Sequence, residues 1–247
     1  MNAKFMKPYV FGHRGASGYE IENTIYSFKR AVSMGAGVEV DVQLTKDNHL
    51  ICFHDPHIKI KERYKLIKNF TLADLKAISF EDTRKIPLVK DVFDVFKEHP
   101  SLRYSFDIID KSSGSELIHI AEVASVLKYL EITDRRLILL SRLRRENKQI
   151  NLVYTLPETI RNITARAIDL EKLQKLNIKV LNVRCRKNIK KLFKEIIDLG
   201  LRCYIWGVNT KTNMKKVINL IYQDEIVDAI YTDYPDKLLN MIREHYK

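Results

Sequence analysis

Apolar runs of strand length alternate with helical segments from Tyr9 to the last residues of the chain, and several strand-like runs end in ionisable side chains. The pattern is densest between Phe11 and Asp55, FGHRGASGYEIENTIYSFKRAVSMGAGVEVDVQLTKDNHLICFHD. One run, Tyr9 to Gly12, leads into His13-Arg14-Gly15, and another, Leu50 to Phe53, leads into His54-Asp55. A core strand has no reason to finish in such residues, whereas the rim of an active site does. Constant strand–helix alternation predicts an α/β fold with a parallel sheet. Chemistry gathered at strand C-termini predicts a site built from the loops that follow the strands.

The centre of that stretch is Glu39-Val40-Asp41-Val42. Alternate residues of a strand share a face, so Glu39 and Asp41 point the same way with Cα atoms about 6.6 Å apart. Val38, Val40 and Val42 face the other way, as a sheet packed against helices requires. Two carboxylates so close on a semi-buried face repel; one must be protonated or a cation must lie between them. Alone, Glu-x-Asp also fits an edge strand with a solvated acidic face. The histidines that end the neighbouring strands favour the site.

Composition narrows the class without choosing the chemistry. The chain has 247 residues, and an α/β barrel takes about 250 in one domain. Its 43 Lys and Arg against 31 Asp and Glu leave a formal charge of +12, which suits a phosphate-bearing substrate, an anionic membrane surface or nucleic acid alike. The basic residues are spread at helical spacing, as in Lys187, Lys190, Lys191 and Lys194, so they read as solvated helix faces. No nucleic-acid recognition motif accompanies the charge. Cys52, Cys185 and Cys203 are scattered, without C-x-x-C spacing, and read as free thiols in a reducing, cytoplasmic compartment. The N-terminal residues show no signal-peptide pattern, and no apolar run reaches the ~18 residues of a membrane span.

The motifs, taken in order, are similar to those of the glycerophosphodiester phosphodiesterase family: His13-Arg14-Gly15, then Glu22-Asn23-Thr24, a helix ending near Gly35, Glu39-x-Asp41-Val42 with Thr45-Lys46-Asp47, and His54-Asp55. Ile86-Pro87-Leu88, Trp206-Gly207-Val208-Asn209 and Thr232-Asp233-Tyr234-Pro235 resemble later segments of the same family. The resemblance implies a single (β/α)8 TIM-type barrel over residues 1–247, with a short insertion after the second strand, at about 56–86. It implies His13 and His54 as an acid/base pair, Glu39 and Asp41 as ligands of a divalent metal, and Arg14 on the phosphate. Carboxylate ligation favours Mg2+ or Ca2+. The family usually has Glu-x-Lys on the strand at 104–109. Here Asp107 stands for the Glu as third ligand and Ile109 for the Lys, so Lys111 is the candidate to reach the phosphate from the loop. Trp206, the one tryptophan, is a candidate pocket wall, and Asp233 is expected to organise the rim rather than bind metal.

Elsewhere the periodicity predicts helices at Leu72–Ile78, Val89–Glu98, Leu117–Tyr129, Leu170–Leu176, Ile189–Leu199, Asn213–Tyr222 and Leu238–Tyr246. It predicts strands at Arg136–Leu140, Ile150–Tyr154, Val180–Val183 and Arg202–Trp206. Residues 56–86 are charged and weakly patterned apart from their helix. Arg142, Arg144 and Arg145 read as a solvated helix start. The expected activity is metal-dependent hydrolysis of a small-molecule glycerophosphodiester to an alcohol and glycerol phosphate. Two alternatives are a lysophospholipase D-like enzyme in peripheral contact with a membrane, and an inactive phosphate- or lipid-binding barrel, which the Ile109 departure would suit. The sequence carries no signal for oligomeric state.

Overall fold

A computed structural model describes residues 7–60, 62–163 and 167–246. The first six residues of the N-terminal stretch screened for a signal peptide lie outside it. Eight strands, numbered here in chain order around the barrel, lie parallel: β1 (Tyr9–Gly12), β2 (Gly37–Leu44), β3 (Tyr104–Ile108), β4 (Leu130–Asp134), β5 (Asn151–Thr155), β6 (Val180–Arg184), β7 (Arg202–Trp206) and β8 (Ala229–Thr232). Each pairs with the next, and β1 pairs with both β2 and β8, which closes the barrel. A ninth strand, Leu50–Cys52, runs antiparallel to the end of β2. Helices connect successive barrel strands, and Pro235–His245 follows β8.

The two faces of the strands explain the sequence pattern. Val38, Val40, Val42, Phe106, Ile132, Leu181 and Ile205 point outward into the apolar layer beneath the helices. The interior is filled by a second set, Phe11, Val153, Val180, Tyr204, Ala229 and Tyr231. The barrel interior also takes polar groups. Arg103 pairs with Glu131 and lies 4.6 Å from the Tyr9 ring centroid. Ser105 Oγ is 3.1 Å from Thr133 Oγ1 and 3.0 Å from the Tyr231 hydroxyl.

That polar interior corrects the predicted strand Arg136–Leu140. The fourth strand is Leu130–Asp134, whose Glu131 and Thr133 point inward, so only Leu130 and Ile132 carry the apolar signal. Residues 137–146 are helix, with Leu139, Leu140 and Leu143 buried while Ile138 is 80% exposed. The preceding helix is Ser113–Val123 rather than Leu117–Tyr129. Ser125, at φ 58°, adopts a left-handed conformation that a continuing helix does not accommodate. Arg142, Arg144 and Arg145 sit in the later turns of the 137–146 helix, not at a helix start. Arg144 is buried, donating to the Leu176 and Lys148 carbonyls. The predicted helix Asn213–Tyr222 is Lys211–Ile218, followed by a short hairpin strand at Ile221–Tyr222.

The excursion after β2 is more ordered than its charge suggested. It holds a hairpin, His57–Ile60 with Arg63–Leu66, and the helix Leu72–Lys76. Ile51, Phe53, Ile58, Ile67 and Leu75 form a small core of their own there.

Candidate active site

The register of β2 and β3 sets Asp41 opposite Asp107. With Glu39 one inward position earlier on β2, three carboxylates converge, each offering an oxygen within 4.8 Å of the others. Glu39 and Asp41 are 5% and 2% exposed, and Asp107 is half-buried. Burial, then the charges of Asp41 and Asp107, push the Glu39 carboxyl well above its ordinary range. Burial, then Asp41 and Asp134, do the same to Asp107. Only oxygen donors meet here, and the cluster carries more negative charge than the neighbouring guanidiniums of Arg14 and Arg136 relieve. Both features fit a hard divalent cation.

His13 and Arg14 follow β1 directly. Gly15 makes this turn possible: at φ +83°, a Cβ there would lie 2.4 Å from Ser27 Oγ. Arg14 is itself left-handed, at φ 56°, a conformation that costs a non-glycine residue roughly 1–2 kcal/mol. Its N–H donates to Glu39 Oε2 at 2.7 Å, which holds the turn over the carboxylates. The Arg14 side chain does not stand free for phosphate. Nη1 donates to Glu22 at 2.8 Å, and Nε lies 3.1 Å from Asp41 Oδ2 at an angle too poor for a hydrogen bond. Burial would lower the guanidinium pKa, but Asp41, Glu39 and Glu22 outweigh it and raise it.

His13 Nδ1 is 2.8 Å from Asp233 Oδ1, across 220 residues of sequence. Asp233 in turn accepts from the Asn209 amide, and its own N–H donates to Asn209 Oδ1 at 2.9 Å. Burial would raise the Asp233 carboxyl, but the hydrogen bond and charge of His13, with Ser17 and Arg14, hold it below its ordinary range. His54 Nδ1 is 2.8 Å from Asp55 Oδ1. Gln43, inward on β2, donates to the Phe53 and Asp55 carbonyls and so ties the His54 loop to the acidic strand. In both histidines a carboxylate engages Nδ1 and leaves Nε2 available.

Several of these partners escape a motif reading. Asn23 does not cap the helix Ile25–Ser33; Thr24 does. Asn23, left-handed at φ 54°, instead donates to Asp41 Oδ2 at 2.8 Å and accepts from the Asp41 N–H. Asn209 and Asp233 belong to motifs visible in the sequence, but nothing local ties either to His13. Lys111 is an exposed loop residue. The neighbouring Asp110 receives the N–H groups of Ser112 and Ser113 and that of Leu44, and so anchors the loop without joining the acidic cluster. Ile109 continues the ladder, its N–H on the Val42 carbonyl. Trp206 is half-buried at the end of β7, with Arg184 5.2 Å from its ring centroid.

Comparison with known proteins agrees with this architecture. A glycerophosphodiester phosphodiesterase of Caldanaerobacter subterraneus subsp. tengcongensis is 30% identical over 97% of this chain and 99% of its own. A crystal structure of a glycerophosphoryl diester phosphodiesterase assignment from Silicibacter pomeroyi superposes with a TM-score of 0.83 at 18% identity, over 98% of this chain and 95% of that one. A phosphodiesterase of Oleispira antarctica, solved with the product sn-glycerol-3-phosphate, superposes at 0.78 with 21% identity, over 96% and 97%. Residues 13–237 match the profile of the glycerophosphoryl diester phosphodiesterase family, and the chain belongs to that family.

Proposed function

We propose that this protein hydrolyses small glycerophosphodiesters to an alcohol and glycerol phosphate in a metal-dependent reaction, with His13 and His54 as the acid/base pair. Family membership makes it a phosphoric diester hydrolase, and the product bound in the Oleispira antarctica relative supports a glycerol phosphate product. The observation that carries the metal-dependent reading is the meeting of Glu39, Asp41 and Asp107 within 4.8 Å. These residues would hold the cation, and Mg2+ or Ca2+ there would neutralise charge on the phosphate oxygens.

The rest of the chemistry belongs to the chain's own side chains. Asp233 fixes the His13 imidazole with its proton on Nδ1, so Nε2 is the atom that takes or gives a proton. Asp55 does the same for His54. Standing at the ends of different strands, the two rings can serve opposite sides of one phosphorus. One removes the proton of the attacking hydroxyl, water or the substrate's own glycerol hydroxyl, and the other protonates the leaving alcohol oxygen. Arg14 balances the carboxylates and adds positive charge beside the phosphate, Lys111 approaches from the loop, and Trp206 packs on the substrate. The same reading takes residues 1–247 as one unit in the cytoplasm, an assignment that the three free thiols support. No helix among the described residues is long and apolar enough to cross a membrane.

The test is release of glycerol phosphate from glycerophosphocholine by purified protein with Mg2+, with Ca2+ and with chelator. Release that needs metal supports the reading. No release from it or from lysophospholipids under any condition refutes it.

A further inference from the structure

Across the barrel mouth from the acidic cluster, β6 and β7 present a second set of inward side chains. The register pairs Asn182 with Tyr204 and Arg184 with Trp206. Tyr204 lies in the interior cluster and Trp206 packs against it, so Asn182 and Arg184 face the interior too. Asn182 is 6% exposed. Its Nδ2 donates to Thr155 Oγ1 at 3.3 Å, but its Oδ1 has no partner among the described residues. Trp206 Nε1 is likewise buried without an acceptor. Buried polar atoms are normally paired, and here an unpaired acceptor and an unpaired donor stand on adjacent strands of one wall.

A hydroxyl both gives and takes a hydrogen bond, so a hydroxylated group answers both atoms, where a primary ammonium answers only the acceptor and a methyl or quaternary ammonium answers neither. The cationic alternative is further disfavoured by Arg184. Its guanidinium already lies 5.2 Å from the Trp206 ring centroid, where a quaternary ammonium would otherwise be attracted, and it is held there by Glu158 at 2.6 Å. We infer that Asn182 and Trp206 form a hydroxyl-reading subsite in the barrel mouth, selecting substrates that bring a polyol group to this wall. The inference rests on the phosphodiesterase reading. The polyol is either the glycerol of the phosphate product or a hydroxylated leaving alcohol.

Trp206 is the one tryptophan of the chain, so its emission reports occupancy of this wall directly. The metal-loaded protein is titrated with sn-glycerol 3-phosphate and with propyl phosphate, which lacks the hydroxyls. Tighter binding of glycerol phosphate by about tenfold is expected, the usual effect of leaving buried polar groups unpaired. Asn182→Leu should erase that preference while changing propyl phosphate affinity by less than about twofold. Trp206→Phe, followed by calorimetry, keeps an aromatic face, removes the donor and should weaken the same preference. A parallel arm compares kcat/KM for a diester carrying glycerol on both sides with that for glycerophosphocholine. Loss of preference in this arm alone on Asn182→Leu assigns the subsite to the leaving alcohol. Equal binding of the two phosphates together with equal kcat/KM, or preferences that survive both substitutions, overturns the subsite alone. Failure to bind or hydrolyse any of these compounds overturns the phosphodiesterase reading and the subsite with it.

Discussion

Replacing Glu39 with Gln should stabilise the metal-free protein and abolish its response to metal. The three carboxylates lie within 4.8 Å of one another, and at an effective dielectric near 20 each fully ionised pair at that distance repels by about 3.5 kcal/mol. Glu39 takes part in two such pairs, and its attraction to Arg14 offsets about one of them. The protein also escapes part of the repulsion by holding a proton, so the relief in Glu39→Gln is about 2 kcal/mol. For a chain of this length that raises the melting midpoint by roughly 4–8 °C. The sign follows from linkage. The Glu39 carboxyl is raised above its ordinary value of 4.5, so its favourable contribution is complete below that value and is lost as pH rises through the folded-state pKa. In chelator, the wild type should therefore lose stability relative to Glu39→Gln as pH rises above 4.5 and through the raised folded-state pKa. Added Mg2+ or Ca2+ should raise the wild-type midpoint and leave that of Glu39→Gln unchanged. Thermal melts in chelator and in metal, at several pH values, read all three effects. A lower midpoint for Glu39→Gln in chelator would refute the reasoning, because Arg14 would then be holding Glu39 comfortably ionised.

Removing either imidazole, in His13→Ala or His54→Ala, should lower kcat by about 10²–10⁴-fold with unchanged circular dichroism; full activity of one variant on every diester tried removes that histidine from the mechanism. Asp233→Asn should lower kcat more than it changes KM, since it loosens the His13 tautomer without touching the acidic cluster. The Asp233 carboxyl is held below its ordinary 3.8, so its stabilising effect is present above that value and disappears as pH falls through the lowered one. The stability gap between wild type and Asp233→Asn, measured by denaturant melts, should narrow as pH falls below 3.8, and a gap that stays constant through acid pH contradicts the assignment. Lys111→Ala should reduce kcat/KM by about tenfold through lost phosphate attraction, with a matching fall in salt sensitivity; unchanged kinetics would leave Lys111 a solvated loop residue.

Much of the geometry of the candidate site was legible because strand geometry is local. Glu39 and Asp41 two residues apart share a face in any strand, and a histidine placed just past an apolar run stands at a rim wherever the run goes. The fourth strand was not legible. Its inward positions are Glu131 and Thr133, and the alternation that usually marks apolar against solvent was inverted by the Arg103–Glu131 pair inside the barrel. The sequence predicts strand at Arg136–Leu140, where the helix Leu137–Glu146 begins, because Leu-Ile-Leu-Leu satisfies either period over so short a window. Asn23 and Thr24 are both capable of capping the helix that follows, and only the structure separates them: Thr24 caps it, while Asn23 bonds Asp41.

The sequence by itself determined that strands and helices alternate, that charged residues collect at strand ends, and that two carboxylates lie on one face. These depend on spacings of two to four residues, which any chain with these side chains must obey. Tertiary structure alone decided which distant groups meet. Pairing of β1 with both β2 and β8 brings His13 to Asp233, and the register of β2 on β3 sets Asp107 against Asp41. Closure and register are set by packing summed over the whole barrel, and no local window of the chain contains that sum.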